Sequence, residues 1–171
     1  AYVSWNNWLA GQTWSNFMDA AALPDSVDFI GPTEGTVFVR QPQVRYTQGP
    51  WSFSVENPET TITPFHGGTR IVSDDNSLPD FTARYLHKAT WGHVTAAILF
   101  RQLAYHTTGA GAIDVTTTAA AVSLSGKYLI SPNDDLRFAV NAGDGIGRYT
   151  GLGVAADAEL DGSGQPDALS G

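Results

Sequence analysis

Apolar and polar residues alternate with a period of two through much of the chain, and that period marks a strand with one apolar and one polar face. The run Trp51-Ser52-Phe53-Ser54-Val55-Glu56 shows it most cleanly: Trp51, Phe53 and Val55 fall on one face, Ser52, Ser54 and Glu56 on the other. Val122, Leu124 and Tyr128 stand opposite Ser123, Ser125 and Lys127, and Leu136, Phe138 and Val140 opposite Arg137, Ala139 and Asn141. Phe81, Ala83 and Tyr85 alternate with Thr82 and Arg84, with Lys88 further along the polar face. Val94, Ala96, Ile98 and Phe100 alternate with His93, Thr95, Ala97, Leu99 and Arg101, and Val44 and Tyr46 with Gln43 and Arg45. A weaker strand over 2–14 is interrupted at Asn6-Asn7. Helical spacing is nearly absent; only the stretch from Asn16 to Ala22 has room for a turn or two. Arg40 breaks phase, because it shares a nominal face with Phe38, Val44 and Tyr46. With Pro42 beside it, a one-residue bulge at Gln41-Pro42 is predicted, which would turn Val37 and Val39 outward and bring Arg40 onto the polar face.

The connections alternate as regularly as the faces. Those over 15–35, 57–79 and 105–115, and the one from Gly143 onward, are long; those over 48–50, near 89–90 and over 131–134 are short. Transmembrane β-barrels have this arrangement, with tight turns at one rim and long loops at the other. Tyr46, Trp51, Trp91 and Tyr128 lie within a few residues of the short turns, where a barrel carries its interfacial aromatics. The prediction is an all-β, antiparallel transmembrane β-barrel, with residues 1–171 forming a single partial barrel domain. It is expected to be a piece of a longer protein, because the first residues already read as the middle of a strand. The segment from Gly162 to Gly171 reads as loop.

Composition removes other classes. Charged residues are 15 % and hydrophobic residues 42 %, unlike a disordered chain, and the longest apolar runs fall far short of the ~20 residues of a membrane-spanning helix. A net charge of −8 argues against nucleic acid as partner. With no cysteine there is neither a disulfide framework nor a thiolate metal site.

The charges are sorted by sign. Of nine basic residues, Arg45, Arg84, Lys88, Arg101, Lys127 and Arg137 lie in strands on the polar face, joined by Arg40 if the bulge forms. The acids concentrate in connections: Asp19, Asp25, Asp28 and Glu34 in the first long loop, Asp74 and Asp75 in the second. Glu56 is an exception, on the polar face of its strand. A basic side chain facing lipid near the bilayer midplane would cost roughly 2–4 kcal/mol, so these residues have to face water or a paired acid, and a pore interior supplies both. Arg and Lys along such a pore favour anions. The candidate pore lining is therefore Arg40, Arg45, Glu56, Arg84, Lys88, Arg101, Lys127 and Arg137. Outer-membrane lipid and small anionic solutes are the expected partners.

With the strands placed, the run from Asn7 to Asp19 (Asn-Trp-Leu-Ala-Gly-Gln-Thr-Trp-Ser-Asn-Phe-Met-Asp) resembles the DcaP-like family of trimeric outer-membrane porins. So do Leu23-Pro24-Asp25-Ser26-Val27-Asp28-Phe29, the run from Val37 to Tyr46, the run from Trp51 to Thr60, and Gly143-Asp144-Gly145-Ile146-Gly147-Arg148-Tyr149. The resemblance implies a barrel of about 16 strands, a homotrimer, and passive uptake of small anions such as dicarboxylates. By the same resemblance the loop over 15–35 folds into the pore as a constriction, where Asp19, Asp25, Asp28 and Glu34 face Arg40 and Arg45 across the opening. This chain accounts for about half of such a barrel, some seven or eight strands, and is expected to stand without the family's N-terminal extension and terminal aromatic strand.

Other motifs carry less. Asp157-x-Glu159-x-Asp161-Gly162 echoes the start of a calcium loop, but the twelfth position is Ala168 and no helices flank it. His66, His87, His93 and His106 lack metal-ligand spacing, no nucleophile elbow exists, and neither cofactor nor catalysis is indicated. The alternative is a secreted, soluble β-sandwich that binds carbohydrate on Trp5, Trp8 and Trp14; a small closed barrel would require the first and last strands to pair.

Overall fold

The structure, a computed structural model, describes residues 1–25, 35–109, 112–162, 164 and 166–171. Among these residues twelve strands follow in chain order: β1 (Tyr2–Trp5), β2 (Trp8–Trp14), β3 (Arg40–Gln48), β4 (Trp51–Glu56), β5 (Thr60–Thr63), β6 (Ile71–Ser73), β7 (Asp80–Ala89), β8 (Gly92–His106), β9 (Asp114–Leu129), β10 (Asp135–Gly143), β11 (Ala158–Leu160) and β12 (Pro166–Ala168). Among the described residues no helix is long and apolar enough to cross a membrane.

Eight strands form one antiparallel sheet in the order β1-β2-β3-β4-β7-β8-β9-β10, each paired with its sequence neighbours once β5 and β6 are set aside. The up-and-down order follows from the connections, since a tight turn can only return a strand beside the one it leaves. The interruption at Asn6-Asn7 is such a turn: Trp5 pairs with Trp8, and Asn6 takes a φ of 52°, which asparagine tolerates better than most residues. The sheet is open along β1 and β10.

Burial runs opposite to that of a soluble sheet. Along β4, Ser52, Ser54 and Glu56 are buried while Trp51, Phe53 and Val55 are about half exposed. The register carries the same phase across the sheet, placing Val44, Val55, Phe81 and Phe100 in one outer row and Trp51, Tyr85, Ala96, Leu124 and Val140 in another. Trp8 packs on Tyr46 at 4.9 Å, Trp51 on Tyr85 at 4.7 Å and Trp91 on Tyr128 at 5.9 Å, a band of aromatics toward the short turns. Phe138 lies over Gly126, where a Cβ would come 2.6 Å from the His93 carbonyl oxygen and 2.9 Å from the Phe138 ring. The apolar stretch on β8 from Val94 to Phe100 measures about 20 Å along the strand, comparable to the ~25 Å apolar belt of outer-membrane barrels. The aromatic and aliphatic surface is therefore turned to hydrocarbon.

The bulge expected at Gln41-Pro42 is absent. β2 and β3 pair without interruption from Trp8–Tyr46 to Trp14–Arg40. The Pro42 carbonyl accepts the Asn57 N–H, so the Pro42 nitrogen turns to the same side, past the end of β4, where no ladder bond is lost. Arg40 consequently stays in phase with Pro42, Val44 and Tyr46 on the outer face, and Val37 is buried rather than outward.

The long connections also hold structure that the pattern did not predict. β5, β6, β11 and β12 form a second sheet, in the order β12-β11-β5-β6 with β11 parallel to β5. It packs Ile62, Ala158 and Leu160 onto Leu103 and Ala119 of the main sheet. The segment read as loop near the C-terminus contains β12. At mid-sheet, Phe17, Met18, Val37, Ile146 and Tyr149 cover Ala97, Leu99 and Ala121. Loops thus fold onto the inner face and bury it.

If the outer face lies in hydrocarbon, Ile98→Arg at mid-band should lower the unfolding free energy by roughly 2–4 kcal/mol in bilayers. A loss under about 1 kcal/mol would place Ile98 at an aqueous surface.

Candidate functional site

The inner face is polar because every second residue of each strand is, and the described part of the first long loop lies on it. Asn16 anchors that loop. Its N–H donates to Glu56 Oε1 at 2.7 Å, and its Nδ2 donates to the Ser52 carbonyl at 3.1 Å and Thr82 Oγ1 at 2.9 Å. Two wall arginines then grip loop carbonyls, Arg84 that of Met18 at 3.3 Å and Arg137 that of Leu23, while Arg45 holds the carbonyl of Trp14, the last residue of β2, at 2.5 Å. Each guanidinium can do this while keeping its charge, since it offers five donors.

Asp19 adds a buried carboxylate contact. Its Oδ2 accepts from Thr95 Oγ1 at 2.8 Å and Ser125 Oγ at 3.2 Å and lies 2.9 Å from His93 Nε2. Burial pushes this carboxyl up, but the bonds from Thr95 and His93 and the charges of His93 and Arg84 outweigh it and hold its pKa below the ordinary aspartate value. Asp25 reaches Arg137 at 2.7 Å from an exposed position. Asp28 and Glu34 lie outside the described residues. Between this loop and β9–β10 lies a cavity of about 490 Å³, bordered by Asp19, Leu23, Ser123, Arg137 and Asn141.

The basic residues separate into three groups. Arg101 is sealed, 4 % exposed, donating to Asp157 Oδ1 at 2.7 Å and lying 3.4 Å from Asp80. It faces inward, but onto carboxylates rather than water. Its neighbours form one network. Tyr149 OH donates to Asp80 at 2.7 Å and accepts from Gln41 Nε2 at 2.8 Å, and Gln41 also donates to Glu56. Burial, with the negative charges of Asp80 and Glu56, pushes the Tyr149 hydroxyl well above its ordinary range, so it remains a donor. Glu56 is buried in this network, and Asp157, read from sequence beside a calcium-like motif, is turned onto Arg101 and Thr61.

A second group is paired but partly open. Lys127 meets Asp135 at 2.7 Å, and Arg137 meets Asp135 at 2.8 Å as well as Asp25. Together with Lys88 and His93 they make one inward row across β7 to β10, near the short turns. The third group, Arg45, Arg84 and Lys88, has no carboxylate within ion-pair distance among the described residues. Arg40 is not on the wall at all; it stands on the outer face with its guanidinium 5.2 Å from the Trp14 ring. Of the residues expected to line a pore, the structure therefore brings Arg45, Arg84, Lys88, Lys127 and Arg137 to the inner face, seals Glu56 and Arg101 beneath loops, and excludes Arg40. Sequence reasoning missed His93, Gln41 and Tyr149, of which only His93 signalled itself, by its phase on the polar face.

A sheet that shows aromatics and aliphatics outward, buries its serines and arginines, and folds its long loops onto the polar side is the wall of an outer-membrane β-barrel. The sequence matches the DcaP outer membrane protein family over residues 1–160, and the chain belongs to that family. The crystal structure of the outer membrane channel DcaP of Acinetobacter baumannii is similar, with a TM-score of 0.74 and 25 % identity over 95 % of this chain and 45 % of that one. The chain thus spans less than half the length of that channel. No curated protein matches it significantly. Its place is the outer membrane.

Two outcomes follow. Arg101→Met should cost about 3–5 kcal/mol in unfolding experiments, because it leaves Asp80 and Asp157 buried and unpaired; adding Asp80→Asn and Asp157→Asn should recover much of the loss. For Asp19, a lowered pKa means that its contribution to loop docking is complete above the unfolded value of 3.8 and lost as pH falls through the lower folded value. Protease cleavage within the loop should rise on acidification only below about pH 4, and Asp19→Asn should raise it at neutral pH.

Proposed function

We propose that the intact barrel is a passive diffusion channel for small anionic solutes such as dicarboxylates, assembled as a trimer, with the loop over 15–35 as its constriction. The observation that carries this reading is the uneven neutralisation of the wall. Carboxylates pair directly with Arg101, Lys127 and Arg137, whereas Arg45, Arg84 and Lys88, on the inner face of β3 and β7, have none within ion-pair distance among the described residues; Glu56 and Asp19 act on Arg45 and Arg84 only from further off. Charge beside low-dielectric walls is focused into the lumen and raises the local concentration of counter-ions. The loop supports the same reading, because Asn16, Asp19 and the Met18 and Leu23 carbonyls held by Arg84 and Arg137 fix it against the wall. A narrowing held in this way needs no chemical step to select: solutes pass by size and sign. The family and the similarity to a known outer membrane channel support the channel part of this reading.

The test is reversal potential under a salt gradient, with the full-length protein in planar bilayers. Arg45→Ser combined with Arg84→Ser should move it toward zero, and Lys127→Ser, whose charge Asp135 already offsets, should move it less. An unchanged reversal potential in the double variant would remove the assignment.

A further inference from the structure

The outer face carries a feature that a purely apolar belt does not explain. Arg40 is exposed there, four residues beyond Val44 on β3, which is about 13 Å of strand past the upper row of the apolar band and on the side of the long loops. Its guanidinium sits over the Trp14 ring, and Trp14 in turn packs on Phe38 at 4.7 Å. Arg40 borders an open groove of about 670 Å³ together with Arg70, Gln12, Trp14 and Pro42. Arg148 and Glu59 also line it, paired with each other at 3.4 Å, and Arg148 lies 3.5 Å from Asp80 as well, so among the described residues Arg40 and Arg70 carry the groove's unpaired positive charge. Arg70 donates to the carbonyls of Gly153 and Val154. Neither Arg40 nor Arg70 has a carboxylate partner among the described residues.

Directly below, on the same outer face, Val44, Phe53, Val55, Phe81 and Phe100 line a shallow apolar groove of about 430 Å³. Pro42 borders the upper groove and Val44, two residues on, borders the lower. A cationic groove stacked on an apolar one, at the height where hydrocarbon gives way to headgroups, has the polarity of a phospholipid or glycolipid molecule. Arginine is suited to it, because its planar fork meets two phosphate oxygens at once and its aliphatic stem can lie along the Trp14 ring.

We propose that this surface binds a phosphorylated lipid of the outer leaflet, with its phosphate held by Arg40 and Arg70 and one acyl chain in the groove from Val44 to Phe100. The site lies outside the barrel, so it rests on the membrane location and not on the channel reading; anion selectivity can fail without affecting it.

Native mass spectrometry of the full-length protein, extracted in mild detergent and supplied with bis-phosphorylated lipid A or its dephosphorylated form, tests this directly. Wild-type protein should retain the phosphorylated lipid preferentially. Arg40→Gln should reduce retention about fivefold, and Arg40→Gln with Arg70→Gln further still. Arg70→Lys, which preserves the charge, should retain most of it. Among the described residues the Arg40 guanidinium makes no ion pair and no hydrogen bond, only the cation–π contact with Trp14, so its variant should keep the wild-type unfolding temperature and conductance. Equal retention by wild type and Arg40→Gln, or no preference for the phosphorylated form, would overturn the proposal. Loss of the oligomer in Arg40→Gln with lipid retention intact would overturn it as well, by assigning this face to a subunit contact.

Discussion

Hydrocarbon offers no hydrogen bond to a backbone N–H or C=O, and the whole structure follows from that constraint. A membrane-crossing strand must pair on both edges, so its side chains can point only to lipid or to the interior. Once Trp51, Phe53 and Val55 take the lipid side, Ser52, Ser54 and Glu56 must take the inner side, and the register passes the same division to every neighbour. Polar groups gathered on the inner face then need partners of their own. Here the loops supply many of them: the Asn16 amide and side chain, the Met18 and Leu23 carbonyls, Asp19 and Asp157. The docking of the first long loop on the inner face and the serines and arginines that hold it are consequences of one segregation.

Arginine has a different use at each position, set by what stands opposite. Arg101, between Asp80 and Asp157, ties the main sheet to the segments from the second and last long connections. Arg45 and Arg84 are spent partly on backbone carbonyls, at the end of β2 and in the first long loop, which occupy donors without cancelling charge. Arg40, above the apolar belt, escapes the penalty that a mid-belt arginine would pay. Position along the strand decides as much as face.

The main sheet was legible because its two solvents are so unlike. Alternation along β4, β7, β8, β9 and β10 is written directly into residue type, and loop length sorts the two rims. The turn at Asn6-Asn7 was visible only as a blemish in a strand, although an Asn-Asn pair between Trp5 and Trp8 is itself a turn signal. β5, β6, β11 and β12 left no signature: they are three or four residues long, and a strand covered on both sides, such as Thr60–Thr63, has no reason to alternate. The bulge at Pro42 was inferred to spare Arg40 a cost that its height above the belt already removes. The ion pairs of Arg101 join positions 21 and 56 residues apart in sequence, a distance no local pattern reports.

The central claim is that one face of this sheet touches lipid and the other a wet interior. Native cysteines are absent from the chain, so single cysteines can be placed without background. Spin labels at positions 51 to 56 of the bilayer-embedded protein would report collision with dissolved oxygen against collision with a water-soluble nickel chelate. The account predicts high oxygen and low nickel contact at 51, 53 and 55, and markedly lower oxygen contact at 52 and 54. Uniform values along the segment, or the opposite phase, would contradict it.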